Sequence, residues 1–139
     1  MLKKKYKVKG QNVNDYMVMQ DFAYHIYPND ILHSFLFQKG FTKKRIAMME
    51  VNLEPLWQKL NHYQELLFTQ EFYLYLEITG LDHKGILRVN YRFFNMQNEL
   101  CATLISAYYI NNTFRKSISG CLPVSKIERE YNHLAPNML

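Results

Sequence analysis

Side chains able to exchange protons are concentrated between residues 25 and 33. Asp30 follows a Pro-Asn pair, and His33 comes three residues later, which places the two on one face if a helix begins there. At a helix start the amide dipole would keep the Asp30 carboxylate ionised, so that it could activate water or attack a carbonyl carbon. An aspartate is also a preferred helix cap, and a purely capping role for Asp30 stays open.

His25 and Glu50 are further candidates for moving a proton. His25 lies in an aromatic run over residues 16–27, which predicts a first β-strand that ends at Pro28. Glu50 is either a helix carboxylate that faces a site or an exposed charge. His33 is either a contact to substrate or water or a structural histidine. The five histidines show no spacing typical of metal ligands, so we expect no metal site.

The net charge of +5 is concentrated in the first ten residues. Five of the 17 basic residues lie there, and the remaining 12 balance the 12 acidic residues. This lysine run has no apolar pattern, so we predict a disordered basic tail over residues 1–13 and no nucleic acid as a partner. No apolar run is long enough to cross a bilayer, so we expect no membrane either. Cys101 and Cys121 lack zinc-site spacing, which predicts reduced thiols in a cytoplasmic protein.

Three long antiparallel strands are predicted over residues 65–78, 86–94 and 99–110. Apolar and polar residues alternate in the first, which is the period of a half-buried strand. The third is apolar at nearly every position, as expected in the middle of a sheet or at a subunit contact. The aromatic residues of these strands either line an acyl or aryl pocket or form core and dimer contacts, and we favour the core. They are Tyr73, Tyr75, Tyr91, Phe93, Phe94, Tyr108 and Tyr109.

A helix with apolar residues at helical spacing is predicted from Ile31 onward, after the proposed cap. Gly40 either ends this helix or lies within it, in which case the helix continues to Met49. A further strand over residues 51–60 comes next.

The C-terminal part of the chain contains a capping box, S-x-x-E, at residues 125–128. It predicts a short helix over residues 126–133, followed by a tail over residues 135–139. At 139 residues the chain is of a size for one domain, which we place over residues 14–134.

The predicted order of strand, helix, strand and three-stranded meander resembles the hotdog fold over residues 14–127. The segment PNDILHSF stands where thioesterases of the 4-hydroxybenzoyl-CoA type keep an Asp-containing loop before the central helix. The segment NHYQELLF resembles their turn into the third strand, and INNTFRKSISGCLP resembles the end of their last strand. This resemblance implies an α+β fold, in which a curved antiparallel sheet wraps around one central helix.

The same resemblance implies an acyl-thioester hydrolase that acts on acyl-CoA or on an acyl carrier protein. Asp30 would be the base or nucleophile, with His33 beside it, and amides at the helix start would hold the oxyanion. Asn29, His62 and Tyr63 would contact the substrate. The active site would lie between the subunits of a homodimer or homotetramer, and no cofactor would be needed.

Two other functions stay open. Residues 25–30, His-Ile-Tyr-Pro-Asn-Asp, are similar to the motif of hotdog β-hydroxyacyl dehydratases, in which His25 would be the base of a dehydration or hydration. The thioesterase pattern D-x-x-x-x-G-H-V-N-N is not repeated after Asp30. This difference leaves room for a non-catalytic acyl-binding protein of a biosynthetic pathway.

Overall fold

The computed structural model describes residues 1–122, which form a sheet and three helices. The predicted helix over residues 126–133 and the tail over residues 135–139 lie outside the described residues. The strands are β1 (Leu2–Lys7), β2 (Pro55–His62), β3 (Glu71–Leu81), β4 (Ile86–Asn95) and β5 (Leu100–Tyr109). The helices are α1 (Ala23–Gln38), α2 (Lys43–Met48) and α3 (Asn112–Ser119), and a 3-10 turn covers Gly10–Asn12.

The strands form one five-stranded sheet in the order β1-β3-β4-β5-β2, and neighbouring strands are antiparallel. The meander of β3, β4 and β5 confirms the three strands predicted from the alternation of apolar residues. Alternate residues of β3, from Phe72 to Ile78, are buried against the helix side of the sheet. β5 is apolar because it lies between β4 and β2 and is buried on the core side.

The prediction of a disordered tail over residues 1–13 is wrong, because residues 2–7 form an edge strand. β1 pairs with β3 from Leu2 opposite Leu76 to Lys7 opposite Glu71. Leu2 and Tyr6 face the core, whereas alternate lysines point to solvent, and lysine is a common residue on exposed sheet edges. The basic charge therefore lies on the folded surface and not in a solvated tail.

The predicted strand over residues 16–27 is also wrong, because its second half belongs to α1. The buried residues of α1 recur at intervals of three and four, which is a helical period. Pro28 lies inside this helix, where it was expected to end a strand. Gly40 has a φ of +89° and follows the last turn of α1, so the alternative in which the helix ends there is confirmed.

The core lies between α1 and one side of the sheet. Two of the aromatic residues on β4, Tyr91 and Phe93, are fully buried there, as is Tyr24 of α1, which contacts Phe93 edge to face. On the opposite side of the sheet, Tyr75 and Phe94 are half-buried and pack against each other. The prediction that the aromatic residues of these strands form core contacts and not a pocket therefore agrees with the position of those that face α1.

Gly85 closes the hairpin between β3 and β4 with a φ of +88°, and its carbonyl accepts a hydrogen bond from the Ile110 amide. A side chain at this position would collide with the Ile110 carbonyl oxygen. We expect Gly85→Ala to lower the free energy of unfolding by about 2 kcal/mol or more in urea denaturation. Gly120→Ala is the matched control, since a Cβ there meets only the Ser117 carbonyl oxygen at 4.0 Å. Equal losses in the two variants would contradict this account.

Candidate active site

A groove of about 590 Å³ lies where the start of α1 meets the end of β2. We call it the first groove. Polar side chains from three separate segments converge on it: the loop before α1, the first turn of α1, and the turn after β2. The side chains that can form hydrogen bonds or exchange protons are those of Asn14, Asp21, His62, Gln64 and Glu65. Tyr24 and Tyr63 also line the groove.

The loop before α1 is held in place by its own hydrogen bonds and by the segment that leads into β3. The Asn14 side-chain oxygen accepts hydrogen bonds from the backbone N–H groups of Tyr16 and Val18. Met17 has a φ of +63°, and its carbonyl accepts a hydrogen bond from the Phe68 amide. This tight turn directs the chain back toward α1 and leaves Asn14 facing the first groove.

His62 and Asp21 form a hydrogen-bonded pair in the first groove. The distance between His62 Nε2 and Asp21 Oδ1 is 2.9 Å, and the imidazole packs edge-on against the Tyr24 ring with centroids 4.8 Å apart. An ionised carboxylate only accepts hydrogen bonds, so Nε2 carries the proton and Nδ1 of the neutral ring is left bare. Within residues 1–122 no group hydrogen-bonds to Nδ1, which therefore can accept a proton from water.

Two backbone amides at the beginning of α1 are free to bind a negative charge. Within the described residues, the N–H groups of Asp21 and Phe22 have no hydrogen-bond acceptor, whereas those of the next two residues donate into the preceding turn. The amide dipoles of α1 add positive potential at this end. Burial raises the pKa of the neighbouring Tyr24 to about 12, so its hydroxyl stays neutral. The first groove thus contains a proton acceptor, His62, and one of the two residues with a free amide, Asp21.

The residues predicted for catalysis around position 30 line a different groove, of about 680 Å³, on the solvent side of α1. We call it the second groove. Asp30, His33 and Asn29 lie there beside the exposed Phe37. The structure brings these three together in one groove, but it separates them from His62 and Tyr63, which were predicted to lie in the same site.

Asp30 does not cap α1, because the helix begins at Ala23. One Asp30 carboxylate oxygen accepts a hydrogen bond from Lys4 Nζ at 2.8 Å and another from the Tyr6 hydroxyl. Partial burial pushes the Asp30 pKa up, but these two hydrogen bonds and the Lys4 charge outweigh it and lower the pKa below its usual value. Asp30 therefore joins β1 to α1. Burial lowers the pKa of His33, and Lys43 lowers it further.

The lowered pKa of Asp30 predicts a loss of stability in acid. The unfolded chain binds a proton at Asp30 more readily than the folded chain does. The stabilisation that Asp30 contributes is therefore present above the ordinary aspartate pKa of about 3.9, and it is lost as the pH falls through the pKa of Asp30 in the folded protein. We expect the urea midpoint of the wild type to fall between pH 6 and about pH 3, and that of Asp30→Asn to fall less. Parallel pH profiles for the two proteins would contradict this role.

The other predicted residues are placed as follows. His25 lines neither groove, and its Nδ1 hydrogen-bonds to Gln58 of β2. Glu50 is exposed after α2, as one of its two interpretations requires. Asp21 was not predicted from the sequence as a site residue. The helical spacing of Tyr24 and the residues after it would have placed Asp21 at a helix start, had that run been interpreted as a helix.

Residues 1–122 contain no group of three or more His, Cys, Asp or Glu side chains able to hold a metal ion. None of their helices has the length and apolar character needed to cross a membrane.

No protein-family model matches the chain, and no curated protein matches it in sequence. Solved structures do match it in shape. A gentisyl-coenzyme A thioesterase superposes with a TM-score of 0.73 at 15% identity, covering 85% of this chain and 99% of that one. A 1,4-dihydroxy-2-naphthoyl-CoA thioesterase from Synechocystis gives 0.73 at 10% identity, covering 87% and 98%.

A third match is a hypothetical protein from Staphylococcus aureus whose structure was determined in complex with CoA. Its TM-score is 0.71 at 18% identity, and the match covers 85% of this chain and 81% of that one. At such identities the likeness concerns the fold. The five-stranded antiparallel sheet packs on α1, and the thioesterase structures share this fold. The chain therefore has the hotdog fold that was expected from its sequence.

Proposed function

We propose that this protein is an acyl-thioester hydrolase and that the first groove is its active site. The observation that carries the proposal is the His62–Asp21 pair beside the free amides at the start of α1. Thioester hydrolysis needs a base for water and donors for an oxyanion. His62 would be the base and the Asp21 amide a donor, and both residues line this groove. The thioesterase activity of structures with the same fold supports the choice of reaction.

In the proposed reaction His62 is the general base. A water oxygen attacks the carbonyl carbon of the thioester, and its proton passes to His62 Nδ1. Amides at the start of α1 stabilise the negative charge that develops on the carbonyl oxygen. The C–S bond then breaks, the leaving sulfur takes the proton back from His62, and a carboxylic acid and a thiol are released. Asp21 keeps the imidazole oriented and stabilises the imidazolium that forms.

We propose an acyl-CoA rather than a carrier-protein thioester as the substrate. Two structural neighbours act on CoA thioesters of aromatic acids, and a third was determined with CoA bound. Tyr63 and Asn14, at the mouth of the first groove, would contact the substrate. The cytoplasmic location suggested by the cysteines stays a prediction.

Free-thiol release from a panel of aryl- and acyl-CoA thioesters tests this proposal. We expect release well above the buffer rate for at least one CoA thioester. A carrier-protein thioester tested in parallel would replace CoA as the proposed substrate if only that one reacts. Enoyl absorbance from β-hydroxyacyl-CoA without thiol release would instead support a dehydratase with His25 as base. Binding of these thioesters without turnover would support the acyl-binding alternative.

The second groove offers the competing site for the same reaction. It contains Asp30 and His33, and His33 Nδ1 is buried with no hydrogen-bond partner within residues 1–122. Asn29 would be its substrate contact. The Asp30 carboxylate is already bound by Lys4 and Tyr6, which makes it a poorer base than His62, so we place the reaction in the first groove.

We also propose that the protein is a homo-oligomer that associates through the free edge of β2. The sheet has two edges, and lysines line the β1 edge, whereas β2 exposes Leu56 and Trp57 at 57% and 51%. An apolar strand edge with unpaired backbone groups favours pairing with another strand. Light scattering at micromolar concentration should therefore give at least twice the chain mass of 16.7 kDa, and Trp57→Lys should lower it. A wild-type mass equal to that of one chain would contradict this proposal.

A further inference from the structure

The side of the sheet that faces away from α1 carries mostly positive charge. Residues paired across neighbouring strands point to the same side, so the register places Lys3, Tyr75 and Arg92 together there. We call this side the outer face. All three helices bury residues in the core on the other side, so within residues 1–122 no helix covers the outer face. The charged side chains on it or in contact with it leave a net charge of +3, from six basic residues, Lys3, Lys5, Lys7, Lys59, Arg88 and Arg92, and three acidic residues, Glu71, Glu77 and Asp82.

Half of these basic residues keep their charge uncompensated. Carboxylate oxygens neutralise the other half at 3.2, 3.6 and 3.7 Å, in the pairs Lys5–Glu71, Arg88–Asp82 and Arg92–Glu77. Lys3, Lys7 and Lys59 have no acidic partner among the residues that the structure describes. All three are exposed, so their charges are available to an anion from solution.

Aromatic rings lie beside these lysines on the outer face. Tyr75 of β3 and Phe94 of β4 pack edge to face with centroids 5.1 Å apart, and Tyr73 follows on β3. Lys3 Nζ lies 4.3 Å from the centroid of the Tyr73 ring and 5.7 Å from that of Tyr75. The three aromatic residues are half-buried, which leaves part of each open to solvent. The outer face thus presents rings and positive charges side by side.

A second copy of the chain does not suit this surface. Two outer faces packed together would bring like charges into contact, which opposes association. Association through the free edge of β2 would extend the sheet sideways and leave the outer faces of both copies open. The positive charge favours an anionic partner, and the rings favour one that carries flat aromatic groups. A chain of phosphates that carries bases has both properties.

We propose that the outer face binds single-stranded nucleic acid, with its lysines on the phosphates and with bases stacked on Tyr73 and Tyr75. Surfaces that bind single strands without sequence preference combine these two elements. Lysine has a flexible stem, so Lys3 can turn from the Tyr73 ring to a phosphate and leave the ring to a base. The expectation of no nucleic acid partner rested on a lysine tail, and the place of these lysines in β1 removes that reason. This binding goes beyond the proposed thioester hydrolysis and does not depend on it.

Fluorescence anisotropy of end-labelled oligo(U) and oligo(dT), each about 12 nucleotides long, tests this inference on the full chain. We expect saturable binding to both, with a Kd of about 10 μM at about 50 mM salt. The logarithm of the binding constant should fall with the logarithm of the salt concentration at a slope of about −2, from about 0.7 for each of the three uncompensated lysines. Absence of binding to either oligonucleotide at this salt concentration would overturn the inference.

Paired charge variants locate the binding surface. Replacing Lys3 and Lys7 by Ser should weaken binding about 10-fold and make the salt slope shallower by about 1.4. Replacing Lys43 and Lys44 by Ser is the matched control, because these exposed lysines belong to α2, on the helix side of the sheet, and the charge lost is the same. The control should bind like the wild type. An equal loss in both variants would show that overall charge attracts the oligonucleotide, and it would overturn the assignment to the outer face.

Tyr73→Leu and Tyr73→Phe test the role of the rings. Leucine keeps apolar bulk but cannot stack on a base, so affinity should fall about 10-fold, whereas phenylalanine should bind like the wild type. Equal affinity of the two variants would contradict stacking. If Tyr73→Leu fails to fold, Tyr75→Leu and Tyr75→Phe provide the same comparison.

Polyglutamate and phosphatidylserine vesicles serve as anions without bases. Both should bind at least about 10-fold more weakly than the oligonucleotides, because they offer charge and no rings to stack. Equal or tighter binding of polyglutamate would make an acidic polypeptide the partner, and equal or tighter binding of vesicles would make it a membrane surface. Either result would overturn the inference. None of these measurements involves a thioester, so their outcome is separate from that of the proposed function.

Discussion

Replacing His62 by Gln should lower kcat for thioester hydrolysis by about 100-fold or more. Glutamine cannot take a proton from water at neutral pH, although its amide can still donate to Asp21. Because the side chain is exposed at the end of β2, the fold should tolerate the change. Initial rates of thiol release and the melting temperature, measured on the same preparation, check both statements.

Asp21→Asn provides the companion to this variant. It removes the charge that orients His62 and leaves the base in place, so we expect a smaller loss of kcat than in His62→Gln. The double variant should be no slower than His62→Gln alone, because Asp21 acts through His62. Independent, multiplying losses would contradict the pairing.

Deleting residues 1–7 should destabilise the protein by about 3 kcal/mol or more, because it removes the apolar packing of an entire edge strand. The Tyr6 ring packs against Tyr27 and Phe72, with centroids 5.1 and 5.8 Å away. The deletion also removes Lys4, which holds Asp30 on α1, and leaves the edge of β3 without its partner. Urea denaturation of the shortened and full chains measures the difference.

The lysines of β1 that point away from α1 supply the control for this deletion. Lys3 and Lys5 lie on the outer side of the sheet and are exposed, so replacing both by Ser should cost little. Tyr6→Ser, by contrast, should account for much of the loss. If the shortened chain is as stable as the full one, residues 1–7 behave as the tail that their composition suggested.

The strands β3 to β5 could be predicted because each alternates or is apolar over many residues between clear turns. β1 could not be, because lysine is typical both of solvated tails and of sheet edges, and its partner β3 lies some 70 residues away. The run over residues 16–27 was misassigned because Tyr and Ile favour strands locally. Packing of Tyr24 and Tyr27 onto the sheet outweighs that preference and makes the segment helical.

The candidate site was predictable only in part. His62 and Tyr63 were named from the turn after β2, and both line the first groove. Asp21 was missed because its partner is 41 residues away, and because the helix start was placed too late. Asp30 was named for a position at the start of α1 that it does not occupy.

A side-by-side measurement of CoA release by the wild type, His62→Gln and Asp30→Asn tests the central claim most directly. All three should fold, since both side chains are exposed, and one responsive aryl- or acyl-CoA is sufficient. We predict wild-type turnover, a kcat about 100-fold lower for His62→Gln, and a kcat for Asp30→Asn within about threefold of the wild type. Full activity in His62→Gln with loss of activity in Asp30→Asn would move the reaction to the second groove and contradict the account.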